Sequence, residues 1–160
     1  MSVLTYRNGP PQLVQVPSDP AFAIRPGMLL GLYSGAVRPP SSLTWLGSLE
    51  GTQGVFAEAF LGVAHSSSEI GESALISVDL SPMSVYAPAL EPGGCDFGDP
   101  LAPADDGDVL SDTRLAPVNG RDLAVAMAME TVAADAPVAR VSFASAYCPA
   151  ANHTLAFGPT

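Results

Sequence analysis

The sequence predicts a mainly β protein: a small β-barrel or β-sandwich with an extended proline-rich N-terminal arm and a C-terminal tail. Three observations predict it. Sixteen prolines and fifteen glycines punctuate 160 residues, with proline at twice its average share of ~5%. The apolar runs between them are short, which is the grammar of strands joined by turns. Several runs alternate with a period of two, as a half-buried strand does, whereas long helical segments are scarce.

Residues 1–24 read as the arm. Pro10, Pro11, Pro17 and Pro20 interrupt regular structure, because each removes a backbone donor and restricts its predecessor. Yet Leu13, Val14, Val16, Phe22 and Ile24 are apolar, so the segment must pack, either on its own barrel or on a neighbouring subunit. Residues 25–146 read as the barrel. Pro26-Gly27 is a turn, Met28–Tyr33 an apolar run, Ser34-Gly35 a tight hairpin turn and Ala36–Arg38 the return. Residues 39–51 read as a loop holding the only tryptophan, Trp45, expected as a plug over a barrel end or an interface anchor. Val55–His65 is a second apolar run. From Ala74 to Leu80, Leu75, Ser77 and Asp79 fall on one side and Ile76 and Val78 on the other.

Residues 91–112 form a long acidic, turn-rich stretch with Phe97 and Leu101 as its apolar anchors. Over Arg121–Val132, Leu123, Val125, Met127 and Met129 alternate with alanines. Alanine favours helix by propensity, but strict alternation of large and small predicts a strand. Val138–Ala144 alternates likewise, and residues 147–160 form the tail.

Charge narrows the partners. Sixteen acids face six bases, all arginine, for a net charge of -10. Between Arg38 and Arg114 lie twelve acids and no base. This disfavours nucleic acid, whose binding rests on neutralising phosphates, and a polybasic membrane surface. No apolar stretch reaches the ~18 residues of a membrane helix. The start of the chain lacks a basic segment and a continuous apolar one, so no signal peptide is expected.

Candidate chemistry is sparse. His65 and His153 lack a ligand partner at metal-binding spacing. Cys95 and Cys148 make no disulfide framework, and Cys148 with His153 makes only an imaginable nucleophile pair. Ser66-Ser67-Ser68 lacks a nucleophile elbow. Asp105-Asp106-Gly107-Asp108 offers carboxylates to a hard cation, although Asp-Gly turns occur for backbone reasons alone. Asp96 with Asp99, and Glu69 with Glu72, are spaced for acid–base work or for loop solvation. No cofactor or metal is expected.

The order of segments resembles the head decoration, or cement, proteins of tailed phages of the small β-barrel type. The residues that carry the resemblance are Pro26-Gly-Met-Leu-Leu with Gly35-Ala-Val-Arg-Pro39, Phe60-Leu-Gly-Val-Ala64, Phe97-Gly-Asp-Pro-Leu-Ala-Pro103 with Asp106-Gly107 and Leu110-Ser-Asp112, and Leu123-Ala-Val-Ala126 leading to Val138-Ala-Arg-Val141. The resemblance implies a non-enzymatic structural protein of the virion, made in the host cytoplasm and bound to the capsid exterior. Its partners would be the major capsid protein and further copies of itself, most often as a trimer, otherwise as a dimer. The residues expected at capsid or intersubunit contacts are Leu13, Val14, Val16, Phe22, Arg38 and Trp45, with acidic loops facing solvent and the arginine-bearing ends meeting the shell. The alternative is a surface-displayed ligand- or carbohydrate-binding β-sandwich, for which Trp45, Tyr33 and Tyr86 are the candidate aromatics.

Overall fold

A computed structural model describes residues 5–147. In chain order its strands are β1 (Thr5–Asn8), β2 (Leu13–Pro17), β3 (Leu29–Tyr33), β4 (Ala36–Arg38), β5 (Phe60–Ala64), β6 (Leu75–Asp79), β7 (Val85–Ala87), β8 (Ala89–Leu90), β9 (Pro100–Asp105), β10 (Leu110–Pro117), β11 (Ala126–Ala128) and β12 (Val141–Phe143). One helix, α1 (Leu49–Ala59), and 3₁₀ turns at Pro40–Ser42 and Arg121–Leu123 complete the elements. The predicted mainly β barrel-like class is the one observed.

The strands form two sheets. The larger has the order β1-β7-β12-β11-β9-β10-β8. Its β7 pairs antiparallel with β12, its β8 pairs parallel with β10, and only Pro88 separates β7 from β8. The segment 85–90 therefore belongs to both ends of the sheet, and six strands nearly close into a barrel with β1 added on β7. The smaller sheet has the order β2-β6-β5-β3-β4. A bridge between Ser18 and Val37 brings its two edges together at one end.

The two sheets enclose two cores that share a wall. Leu29, Phe60 and Val63 belong to the core of the larger barrel, with Phe56, Leu101, Leu115, Val141 and Phe143. Leu30, Leu61 and Ala64 belong to the smaller core, with Ile24, Val37, Ile76 and Val78. The β3–β5 ladder is thus buried on both faces, which its near-continuous apolar sequence requires. A register shift between Leu30 and Gly31 changes the phase of β5, so that Phe60 and Val63, three residues apart, face the same core. At Gly62 a Cβ would run into the main-chain oxygen of Asp79, so only glycine lets β5 and β6 approach there.

Local chemistry explains the hairpins. Ser34 and Gly35 carry φ of 51° and 80°, which is the two-residue turn whose twist suits antiparallel strands. Asp106–Val109 closes the β9–β10 hairpin, with Gly107 and Asp108 at φ of 78° and 60°. The alternation in β6 is also as predicted for its aliphatic residues: Ile76 and Val78 are fully buried while Leu75 is 64% exposed.

Three expectations are corrected. The stretch from residue 39 to 59 is not loop followed by an apolar extended run. It contains α1, capped by the Ser48 hydroxyl accepting from Gly51 N–H at 3.1 Å and burying Thr52, Gln53 and Phe56. The segment Arg121–Val132 is strand only over β11, because Arg121–Leu123 winds into a 3₁₀ turn. In β11 the alanines face inward and Met127 faces out, since only small side chains fit between β11 and the filled core. Phe97 is no anchor, being 63% exposed. Of the two readings of the arm, the described part follows the one that folds it onto its own domain: β1 pairs with β7 and β2 pairs with β6 along its whole length. Of the tail, only Tyr147 falls within the described residues.

Candidate functional site

A dense polar cluster lies where the two sheets meet. Asp79, at the end of β6, is 4% exposed. Its Oδ1 accepts from the backbone N–H groups of Gln12 and Ser81, each at 2.9 Å. Its Oδ2 accepts from the Tyr86 hydroxyl at 2.6 Å. The Tyr86 oxygen in turn lies 2.7 Å from His65 Nε2. Because Tyr86 gives its proton to Asp79, the imidazole is the donor in that contact. Burial pushes the Asp79 carboxyl up, but hydrogen bonds from Ser84, Tyr86 and the Ser81 and Gln12 backbone outweigh it and hold it below its ordinary value.

This His–Tyr–Asp chain has the composition of a proton relay and the geometry of a clamp. Its carboxylate is held by two backbone donors and the Tyr86 hydroxyl, and Tyr86 is 2% exposed, so only His65 meets solvent. It ties the β1–β2 connection, the end of β5, the end of β6 and β7 into one joint. In sequence Asp79 is one of the twelve acids between Arg38 and Arg114, expected to be solvated. The signal that it is not lies in Ser81-Pro82, two residues on, a turn that folds the following chain over the carboxylate.

A second cluster forms around Arg38. Its Nε lies 2.9 Å from Asp19 Oδ2, and its guanidinium sits 5.2 Å from the Tyr33 ring centroid and 5.9 Å from that of Phe22. Burial pushes the Tyr33 hydroxyl up to about 12, with the Arg38 charge opposing it. Two of the residues expected at contacts, Phe22 and Arg38, are thus brought together, but as an internal clasp between the 18–24 segment and the β3–β4 hairpin. Trp45 packs partly buried against the larger core. Val14 and Val16 pack on the smaller core. Leu13 is 49% exposed. The aromatics Trp45, Tyr33 and Tyr86 occupy three separate settings and form no common platform.

The remaining candidates are bound to their own backbone. Asp99 accepts from Asp96 N–H at 2.8 Å and Glu72 from Glu69 N–H at 3.2 Å, so neither pair faces a shared proton. Ser66 Oγ accepts from Ser77 N–H and Ser68 Oγ meets Ser18 Oγ, both at 2.9 Å. Asp105 Oδ1 accepts from Asp108 N–H at 3.0 Å, the backbone reading of that turn. Among the described residues no group of three or more His, Cys, Asp or Glu is placed to hold a metal, and no helix is long and apolar enough to cross a membrane. Cys95 is buried and its thiol is pushed up by that burial and by Asp99. Cys148 and His153 lie outside the described residues.

Two surfaces among the described residues are open to a partner. The first is the outer edge of β2. Val14 and Val16 point their main-chain groups at β6, as the flanking bonds Leu80 N–H to Gln12 and Ser18 N–H to Ala74 require, so the N–H and C=O of Leu13 and Gln15 point away from the sheet. The second is a groove of about 300 Å³ on the larger barrel, walled by Pro100, Val125, Met127, Phe143 and Ala144, with Arg121 at its side. Comparison with known proteins finds no family model and no curated relative that matches the sequence. The functional reading therefore rests on the residues themselves.

Proposed function

We propose that the chain is a non-enzymatic virion protein that binds the outer surface of a tailed-phage capsid and stabilises the shell, with the major capsid protein as its partner. The observation that carries this reading is the open edge of β2. It presents the unpaired main-chain groups of Leu13 and Gln15 beside an exposed leucine, on a strand fixed along its other side to β6. Such an edge receives an extended segment of a neighbour as an added strand, with main-chain bonds giving affinity and side-chain pockets register. Repetition over a shell multiplies a modest contact into tight retention. The prolines at positions 10, 11 and 17 stop the edge from extending further.

The test is co-purification. The chain is expected with purified particles in fixed stoichiometry to the shell protein. Gln15→Pro removes one outward N–H and, on the β6 side, only the exposed bond from Gln15 Nε2 to Ser77 Oγ at 2.6 Å, leaving the main-chain ladder intact, and Leu13→Asp charges the exposed side chain. Each is expected to weaken particle binding tenfold or more while leaving the melting temperature of the free chain within a few degrees. Gln15→Ala, which removes the side-chain bond alone, is expected to bind particles as the wild type does. Absence from particles, or binding unchanged in both Gln15→Pro and Leu13→Asp, would overturn the reading.

A further inference from the structure

The arginines of this acidic chain are not used alike. Arg25 pairs with Glu69 at 3.0 Å, Arg38 with Asp19 at 2.9 Å and Arg114 with Glu91 at 2.6 Å. Among the described residues Arg121 and Arg140 have no acidic partner, although acids outnumber bases sixteen to six. Both lie on one face of the larger barrel. Arg121 borders the apolar groove, and Arg140 stands where its carbonyl accepts from Met129 N–H. Between them β11 exposes Met127 at 40% and the residue that follows the strand, Met129, at 37%, and Phe97 at 63% lies alongside, since Gly98 N–H bonds to the Ala128 carbonyl. Two acids near this face accept from main-chain groups, Asp99 from Asp96 N–H and Glu130 from Arg140 N–H, and neither forms an ion pair with Arg121 or Arg140. Methionine, phenylalanine and arginine together are the composition of a protein interface.

The same chain carries a complement. The β9–β10 hairpin tip exposes Asp105, Asp106 and Asp108, and the guanidinium nearest them, Arg114, is held by Glu91 and lies 3.9 Å from Asp106. Strand β9 starts at the groove and ends at this tip. At about 3.3 Å per residue its six residues separate the two by roughly 17 Å, so a tip cannot reach its own groove.

We infer that copies of this chain associate head to tail, the acidic β9–β10 tip of one seating against the Arg121–Arg140 apolar face of the next. A contact between two different patches closes into a ring where the rotation allows it. It concerns copies of this chain alone, so it stands or falls separately from capsid binding.

Sedimentation velocity on the full chain, over a range of concentrations at low and high salt, tests it. The wild type is expected to self-associate, more weakly as salt screens the charges. Arg121→Glu with Arg140→Glu, and Asp106→Lys with Asp108→Lys, are each expected to weaken association tenfold or more without lowering helix or strand content by circular dichroism. A chain carrying all four reversals is expected to associate again. Asp106→Lys alone replaces the double change if lysine is not tolerated at Asp108. A wild type that stays monomeric at millimolar concentration, association unchanged by the arginine reversals, or no recovery in the fourfold variant would overturn the inference.

Discussion

The β3–β5 wall and the β2–β6 flank belong to one sheet, yet they obey different rules. The wall is buried on both sides, and its sequences, Leu-Leu-Gly-Leu-Tyr and Phe-Leu-Gly-Val-Ala, are nearly unbroken apolar runs. The flank is covered on one side only, and its sequences alternate. What separates them is the number of cores each strand serves. A continuous apolar run in a small barrel protein therefore marks a partition between two cores.

The contrast is broken most severely at Phe60, fully buried and in ring contact with Phe56 and Phe143 at 5.8 Å each. Phe60→Ala is expected to cost about 3–5 kcal/mol in chemical denaturation. Leu75→Ala on the flank, 64% exposed, is expected to stay within about 0.5 kcal/mol. Next in size is Gly62→Ala, whose added methyl meets the Asp79 carbonyl. Overpacking of this kind costs about 1–3 kcal/mol, and the melting temperature is expected to fall accordingly. Asp79→Asn follows, at about 1–3 kcal/mol. It keeps the shape but replaces one accepting oxygen of a carboxylate held by two backbone donors and Tyr86.

The smallest effects distinguish two acids by sign. The folded pKa of Asp79 is lowered, so its contribution is present above the unfolded carboxylate value and is lost as pH falls through the lower folded value. Burial pushes Asp112 up, against the opposing N–H and hydroxyl of Ser41. Its contribution is therefore full below the unfolded value and declines as pH rises through the folded one. Asp112→Asn is expected to leave stability unchanged or raise it slightly at pH 7, whereas Asp79→Asn lowers it. Melting temperatures from pH 3 to 7 check both, and equal slopes for the two variants would contradict the assignment.

Features fixed by neighbours in sequence were legible. The Ser34-Gly35 turn needs only two residues able to take positive φ, and the alternation of Ile76 and Val78 reports directly on a one-sided strand. Features fixed by distant partners were not. The helix Leu49–Ala59 contains Gly51 and Gly54, which weaken its propensity, and its signal lies in the spacing of Leu49, Phe56 and Phe60 behind the Ser48 cap. Asp79 reads as a surface acid until Gln12 and Tyr86 arrive from other elements. The alternation of Met127 with alanines signals a strand but not which set faces inward; the filled space inside β11 decides it, since only alanine fits there. Of the residues expected at contacts, Leu13 stands open, while Phe22 and Arg38 spend their chemistry on each other.

The segment 85–90 carries a consequence for how the chain is made. It is translated midway, yet its partners are β1 near the beginning, β10 after it and β12 close to the end. On a ribosome that segment must wait, unpaired on one side, until residues past 143 have left the exit tunnel. Pairing so distant in sequence makes closure slow, and the smaller sheet, whose strands are all complete by Asp79, is the unit placed to form first and serve as its template.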